Sequence, residues 1–310
     1  MCFHLSSWPL SRVPGQRGHT HLLAALAGLA AVAAAACSQP GSSASALLPR
    51  PHLAPPDESV TAPPGQPLPY FGPAHLRLAV ASPGLPAHLP VYAFTVPAAD
   101  HLAATARAHG GSLVLPSPPN YREPQIFITS GSLSDSGHAP AADAAAVAAA
   151  TFLADRSLTP AWTYRRSEVS YGAFGVVSML RQFPVDGYGP AGQLDAHGAE
   201  AGASVIVGPD GAVRQATVPF PLPLRRQDHK AASPAAITQA VTRLQGAPAT
   251  GPEPDVALTA VTLSYLAVSA GGTGYFEPVL LFTGDFQRDG TGFRMRVLVP
   301  ALDAGQMAAQ

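Results

Sequence analysis

The sequence predicts an α+β protein with antiparallel β meanders, each preceded by a helix, in two repeated modules plus a small N-terminal βαβ-like subdomain. Three observations carry this reading. A helix-like stretch followed by several strand-like runs occurs at 139–219 and again at 233–300. Gly208-Pro209-Asp210-Gly211 joins two apolar runs, with Pro fixing φ and Gly permitting φ > 0, as a tight hairpin turn requires. Between Leu76 and Thr129, short β-branched and aromatic runs are bounded by Pro and Gly.

At the start of the chain, Leu22 to Ala36 is an uncharged apolar run, preceded by Arg12 and Arg17 and ended by Cys37. Ser38-Gln39-Pro40-Gly41-Ser42-Ser43 follows at once, so the chain changes character at that cysteine. This is the tripartite shape of an export signal. It resembles a bacterial lipoprotein signal peptide, in which small or aliphatic residues, here Ala34, Ala35 and Ala36, precede a cysteine that is lipidated and becomes the new N-terminus. The resemblance implies removal of residues 1–36 and a lipid anchor at Cys37. The family pattern has Leu three positions before the cysteine, where this chain has Ala34. Two other readings stay open. An uncleaved anchor would need about 20 apolar residues to cross the bilayer, more than Leu22 to Ala36 supplies. An ordinary signal-peptidase site would use Ala34-x-Ala36.

Loss of residues 1–36 removes Arg12 and Arg17 and no acid, leaving 16 basic and 19 acidic residues, a net charge of −3. Such a faintly acidic chain, with Lys230 its one lysine, lacks the basic footprint of a nucleic-acid binder. Cys2 leaves with the signal, so Cys37 alone remains, and neither an intramolecular disulfide nor a thiolate metal cluster can form. The fold must stand on its hydrophobic core.

Residues 37–74 read as the lipidated N-terminus and a disordered tether. Proline recurs at Pro49, Pro51, Pro55, Pro56, Pro63, Pro64, Pro67 and Pro69, among Ser, Gly and Ala. Such a stretch cannot bury enough apolar surface to offset its entropy.

Residues 75–131 read as the N-terminal subdomain. Leu76–Val80 and Val91–Val96 suggest strands, Ala98–His109 a helix stopped by Gly110-Gly111, and Ser112–Leu115 and Gln125–Thr129 two more strands. In the first module, 139–219, the Ala-rich helix Ala139–Asp155 has Pro140 at an early position and an apolar face of Ala146, Val147, Ala150, Phe152 and Leu153. Strands follow at Trp162–Tyr171, Val176–Pro184, Ala203–Val207 and Ala212–Val218. In the second module, 233–300, Ser233-Pro234 is a helix start with Ser as N-cap, and Ile237, Val241 and Leu244 share a face. Val256–Val268, Tyr275–Asp285 and Gly292–Pro300 complete its meander.

Phe152-Leu153 at a helix end, Phe183-Pro184-Val185 before a glycine-rich loop, and Val205 to Val213 around the hairpin carry a resemblance to PepSY and YycI-type modules of bacterial envelope proteins. Val261 to Tyr265 and Glu277 to Gly284 look like the closing strands of a second copy. The resemblance covers about half the chain. It implies an α+β fold, no cofactor, and a role in modulating an envelope protease or a membrane-bound sensor kinase.

Chemistry is sparse. Gly187-Tyr188-Gly189-Pro190-Ala191-Gly192 spells G-x-G-x-x-G, but no amphipathic helix follows it, so it reads as a hairpin loop and not as a dinucleotide site. Ser132, Ser134 and His138 crowd one polar loop, yet neither serine has the flanking glycines of a nucleophile elbow. Asp195, His197 and Glu200, and the pair Asp228-His229, are the nearest approach to a metal site and read as solvated loops. Trp162, Tyr164, Tyr171, Phe174, Tyr265, Tyr275, Phe276 and Phe282 belong either in the core or on one face as a groove.

The sequence therefore points to a lipid-anchored, extracytoplasmic, non-enzymatic protein of the cell envelope, held to the membrane through Cys37, without cofactor, metal or nucleic-acid partner. Its expected work is to bind or regulate an envelope membrane protein. A carrier for an apolar ligand or lipid is the alternative, and an envelope hydrolase using Ser132 or Ser134 with His138 ranks third.

Overall fold

The computed structural model describes residues 47–53, 67–70, 72–115, 123–133, 136–244, 253–270 and 272–308. The expected signal segment 1–36, Cys37, most of the expected tether and Ser134 lie outside the described residues.

Short runs rich in Val, Ile, Leu and aromatics, punctuated by Gly and Pro, fold into strands nearly throughout. In chain order they are β1 (Leu68–Tyr70), β2 (His75–Leu78), β3 (His88–Thr95), β4 (Ser112–Val114) and β5 (Gln125–Thr129). Next come β6 (Tyr164–Tyr171), β7 (Phe174–Val185), β8 (Gly189–Leu194), β9 (Gly202–Val207), β10 (Val213–Pro219) and β11 (Arg225–Lys230). The last are β12 (Asp255–Leu258), β13 (Ala260–Ala270), β14 (Thr273–Arg288) and β15 (Thr291–Pro300). The helices are α1 (Ala99–Ala108), α2 (Ala142–Asp155) and α3 (Pro234–Arg243).

Thirteen strands join one mixed sheet, ordered β1-β15-β14-β13-β8-β7-β9-β10-β5-β4, with β6 on β7, β3 on β14 and β11 on β3. β2 and β12 form a separate parallel pair. The protein is thus mostly β, and the expected α+β arrangement of repeated helix-plus-meander modules with a βαβ-like subdomain is corrected. β3 does not pair with β4: it lies antiparallel to β14, Thr95 opposite Thr273, while β4 and β5 extend the sheet beyond β10. The physical reason is that each local hairpin leaves open edges, and distant strands fill them. A run's own pattern selects its face and not its partner.

β7 joins the two halves of this sheet. Its residues alternate between half-buried and buried from Phe174 to Phe183. Phe174–Arg181 is bonded to β6, and Gly175–Leu180 also to β9, whereas Gln182–Val185 is bonded to β8. One half is backed by α1 and α2, whose Leu102, Ala106, Ala145, Ala149 and Leu153 meet Val177, Val205 and Val207. The other half is filled by aromatic rings. Phe183 lies 4.5 Å from Tyr265, 5.0 Å from Tyr92 and 5.0 Å from Phe276, centroid to centroid. α3 buries Ile237 and Val241 in this second core, and Val256 and Leu258 of β12 are buried there too.

Helix details follow local chemistry. Ser233 Oγ accepts the Ala236 N–H at 3.2 Å with Pro234 in the first turn, the expected cap. α2 starts at Ala142, later than expected, with Ala141 at its N-cap in an extended conformation. It buries Ala145, Ala146, Ala149 and Leu153 and leaves Val147 67% exposed. In a run of alanines, one valine does not fix the buried face.

Candidate functional site

The glycine string 187–192 forms the turn and strand of the β7–β8 hairpin, with Val185 opposite Gly189 and Gly187 and Gly189 at φ +75° and +106°. Those positive φ values explain the glycines, and no helix N-terminus follows for a phosphate. Ser132 and His138 are exposed on the loop between β5 and α2. Asp195 Oδ1 accepts the backbone N–H groups of His197 and Ala199, both at 2.9 Å, and so closes its own loop. Glu200 pairs with Arg165 at 2.5 Å. Asp228 bonds Arg226 at 3.0 Å, and His229 Nδ1 lies 3.1 Å from Gln306 Oε1. Among the described residues no group of three His, Cys, Asp or Glu side chains is placed to hold a metal ion.

Of the predicted aromatics, Tyr265, Phe276 and Phe282 are fully buried. Trp162 stacks under the Arg181 guanidinium, 4.5 Å from its ring, and Tyr164 and Tyr171 are exposed on β6. The rings of Tyr92, Phe94 and Phe183 share the buried cluster. Its members lie too far apart in the chain for spacing to have grouped them.

Two buried polar features also escaped the sequence. Where β7 passes from one half of the sheet to the other, Arg181 Nη1 donates to Glu123 Oε1 at 2.5 Å, and Gln193 Nε2 donates to Glu123 Oε2 at 2.5 Å. All three side chains are buried, which ties the segment before β5 to both β7 and β8. Glu277 on β14 is fully buried, and neither of its carboxylate oxygens has a hydrogen-bond partner. Burial pushes its carboxyl up to about 8, so it is held neutral across most of the physiological range.

The feature best shaped for a partner lies at the edge of β15. Ala301 N–H donates to the Pro278 carbonyl at 3.1 Å, and Pro300 sits opposite Val279. The alternation of an antiparallel ladder then turns the N–H and C=O of Val297 and Val299 towards β14, and those of Arg296 and Leu298 outward. Among the described residues, β1 pairs with the outward edge at Phe293–Met295. Tyr70 ends β1, and its hydroxyl donates to the Pro73 carbonyl at 3.0 Å as the chain turns away through Gly72-Pro73. The last rung of the parallel β1–β15 ladder uses the Arg296 N–H, so from the Arg296 carbonyl to Pro300 the edge has no strand partner among the described residues.

This edge opens into a groove of about 600 Å³, walled by Arg50–Leu53, Gly72–Ala74 and the end of α3 at Ala240, Arg243 and Leu244. Arg50, His52, Arg243 and Arg296 line it, and no Asp or Glu does so among the described residues. Arg50 Nε donates to the Ala308 carbonyl at 2.8 Å, and Arg296 Nη1 to the His197 carbonyl at 3.1 Å. Both cations are thus positioned by carbonyls. Burial lowers the pKa of Arg296, an effect that the charge of Asp195 opposes.

No protein-family model and no curated protein matches the chain. Among solved structures it is similar to an uncharacterized protein from Eubacterium rectale, at 10% identity over 76% of this chain and 90% of that one, with a TM-score of 0.37. It is also similar to the C-terminal domain of YpeB from Bacillus megaterium, at 13% identity over 68% of this chain and 95% of that one, with a TM-score of 0.28. At these values no residue role is carried across.

Proposed function

We propose that the chain is a lipid-anchored, non-enzymatic extracytoplasmic protein that binds or regulates an envelope membrane protein, a sensor kinase or a protease. The observation that carries the reading is the unpaired edge of β15 in its arginine-lined groove, which offers a partner both backbone hydrogen bonds and charge. Cys37 and its apolar approach supply the anchor in this proposal, and the PepSY-type resemblance of the strands supplies the regulatory role. Among the described residues no helix is long and apolar enough to cross a membrane.

Crosslinking in intact cells, followed by capture of the tagged chain, tests the reading. Enrichment of one sensor kinase or protease above a Cys37→Ser control supports it, and no such enrichment counts against it. The control chain itself is expected in the soluble fraction; retention on the membrane would point to an uncleaved apolar segment instead. A hydrolytic activity abolished by Ser132→Ala or His138→Ala would overturn the non-enzymatic assignment.

A further inference from the structure

We propose that the free edge of β15, from Arg296 to Pro300, receives an extended acidic segment of a partner protein as an added strand. The inference deepens the binding reading above and rests on it.

The edges of this sheet are not treated alike. β11 bears Arg225, Arg226, Asp228, His229 and Lys230 along its outer flank, and β6 bears Arg165, Arg166 and Glu168. Charged side chains of this kind discourage strand addition. The open part of β15 reads Arg296-Val297-Leu298-Val299-Pro300, where only Arg296 is charged and its guanidinium is engaged by the His197 carbonyl. The C=O of Arg296, the N–H and C=O of Leu298 and the C=O of Pro300 therefore face a groove instead of a guard, the Arg296 N–H being taken by the Tyr70 carbonyl. A strand lying there over about 14 Å would continue the line that β1 abandons at Tyr70.

Charge then selects among extended chains. Arg243 is exposed at the end of α3 and has no carboxylate partner among the described residues, and Arg50, held by the Ala308 carbonyl, lines the same groove. An incoming strand with alternating carboxylates would present them to these walls while its backbone bonds the edge. A basic strand would meet like charge.

The test uses the purified full chain and a labelled peptide, acetyl-Val-Glu-Val-Glu-Val-Glu-amide, at low salt. Saturable binding is expected, at least tenfold weaker with Arg243→Glu and absent for the counterpart with Lys in place of Glu. Methylating alternate peptide nitrogens of the probe should abolish binding with the protein unaltered, which guards against a variant that fails to fold. Binding that survives this methylation, equal binding of the Lys peptide, or no binding of the Glu peptide overturns the proposal. Binding seen only after deletion of residues 54–66 would assign the edge to this chain itself, and a peptide-sensitive dimer would assign it to a second copy; either overturns it. In cells, a photocrosslinker at Leu244 should capture the partner and one at Tyr171 should not. A partner captured without the Leu244 crosslink would sink strand addition and leave the regulatory reading standing.

Discussion

The two halves that share β7 are built on opposite principles. The half backed by α1 and α2 sets Ala106, Ala145, Ala149 and Ala203 among aliphatic side chains such as Leu102, Leu153, Val177 and Val205, and its core positions on α2 are mostly alanine. The half that contains β13, β14 and β15 is built around the rings of Tyr92, Phe94, Phe183, Tyr265 and Phe276, which pack on one another. The first is sensitive to insertion and the second to deletion. The second also holds Glu277 buried without a partner, while the ion pair of Arg181 with Glu123 sits where the halves meet.

The sharpest test of that division acts on the joint itself. Arg181→Met strands Glu123 as a buried, uncompensated carboxylate and is expected to cost about 3–5 kcal/mol in denaturant unfolding. Most of that loss should return in the double variant with Glu123→Leu, and a single-variant cost below about 1 kcal/mol would show that the joint is not held by charge.

Next in size, Phe183→Ala should cost about 3–5 kcal/mol by opening a cavity in the ring cluster. Ala149→Leu should cost about 1–3 kcal/mol by overpacking beneath α2. If Ala149→Leu is neutral, the helix-backed half is looser than its buried alanines indicate.

Glu277 gives a pH signature to one half alone. Its carboxyl is raised to about 8 in the folded chain, so between about 4.5 and 8 the folded state holds a proton that the unfolded state has released. Stability from this group is therefore complete below about 4.5 and lost as the pH rises towards 8. Glu277→Gln should flatten that decline, with a gain on the order of 2–4 kcal/mol at pH 9, read from thermal or urea unfolding across pH.

The smallest contrast is in helix caps. α3 has its Ser233 cap, whereas α1 and α2 begin at Ala98 and Ala141 without a side-chain cap bond. Ser233→Ala should lose about 1 kcal/mol, and Ala141→Ser should gain a similar or smaller amount, by differential scanning calorimetry.

What the sequence made legible was local. The Gly208–Gly211 turn, the Ser233 cap and the antiparallel succession of β13, β14 and β15 follow from neighbours a few residues apart, although the expected strand Val256–Val268 divides into β12 and β13. What it hid was pairing at a distance. β3 reaching β14, and Glu123 reaching Arg181, depend on edges and charges that meet only when the sheet closes. β8 and β11 were missed because Gly-Pro-Ala-Gly and a wholly polar hexamer carry no hydrophobic period, although the sheet accepts both. The open stretch of β15 was invisible for the same reason, since a strand's sequence does not say which of its edges is left unpaired.

The shared strand also sets an order for biosynthesis. β7 is made before β13, β14 and β15, yet the second half of the sheet cannot form until those last strands exist. Throughout elongation, Phe183 and the edges of β3 and β8 have no partners to shield them, and closure then requires contacts between the earliest and latest strands. Such contacts make folding slow and non-local. A chain released before residue 273 would lack β14 altogether, leaving a helix-backed half with an exposed aromatic strand end, a prime substrate for quality-control proteases.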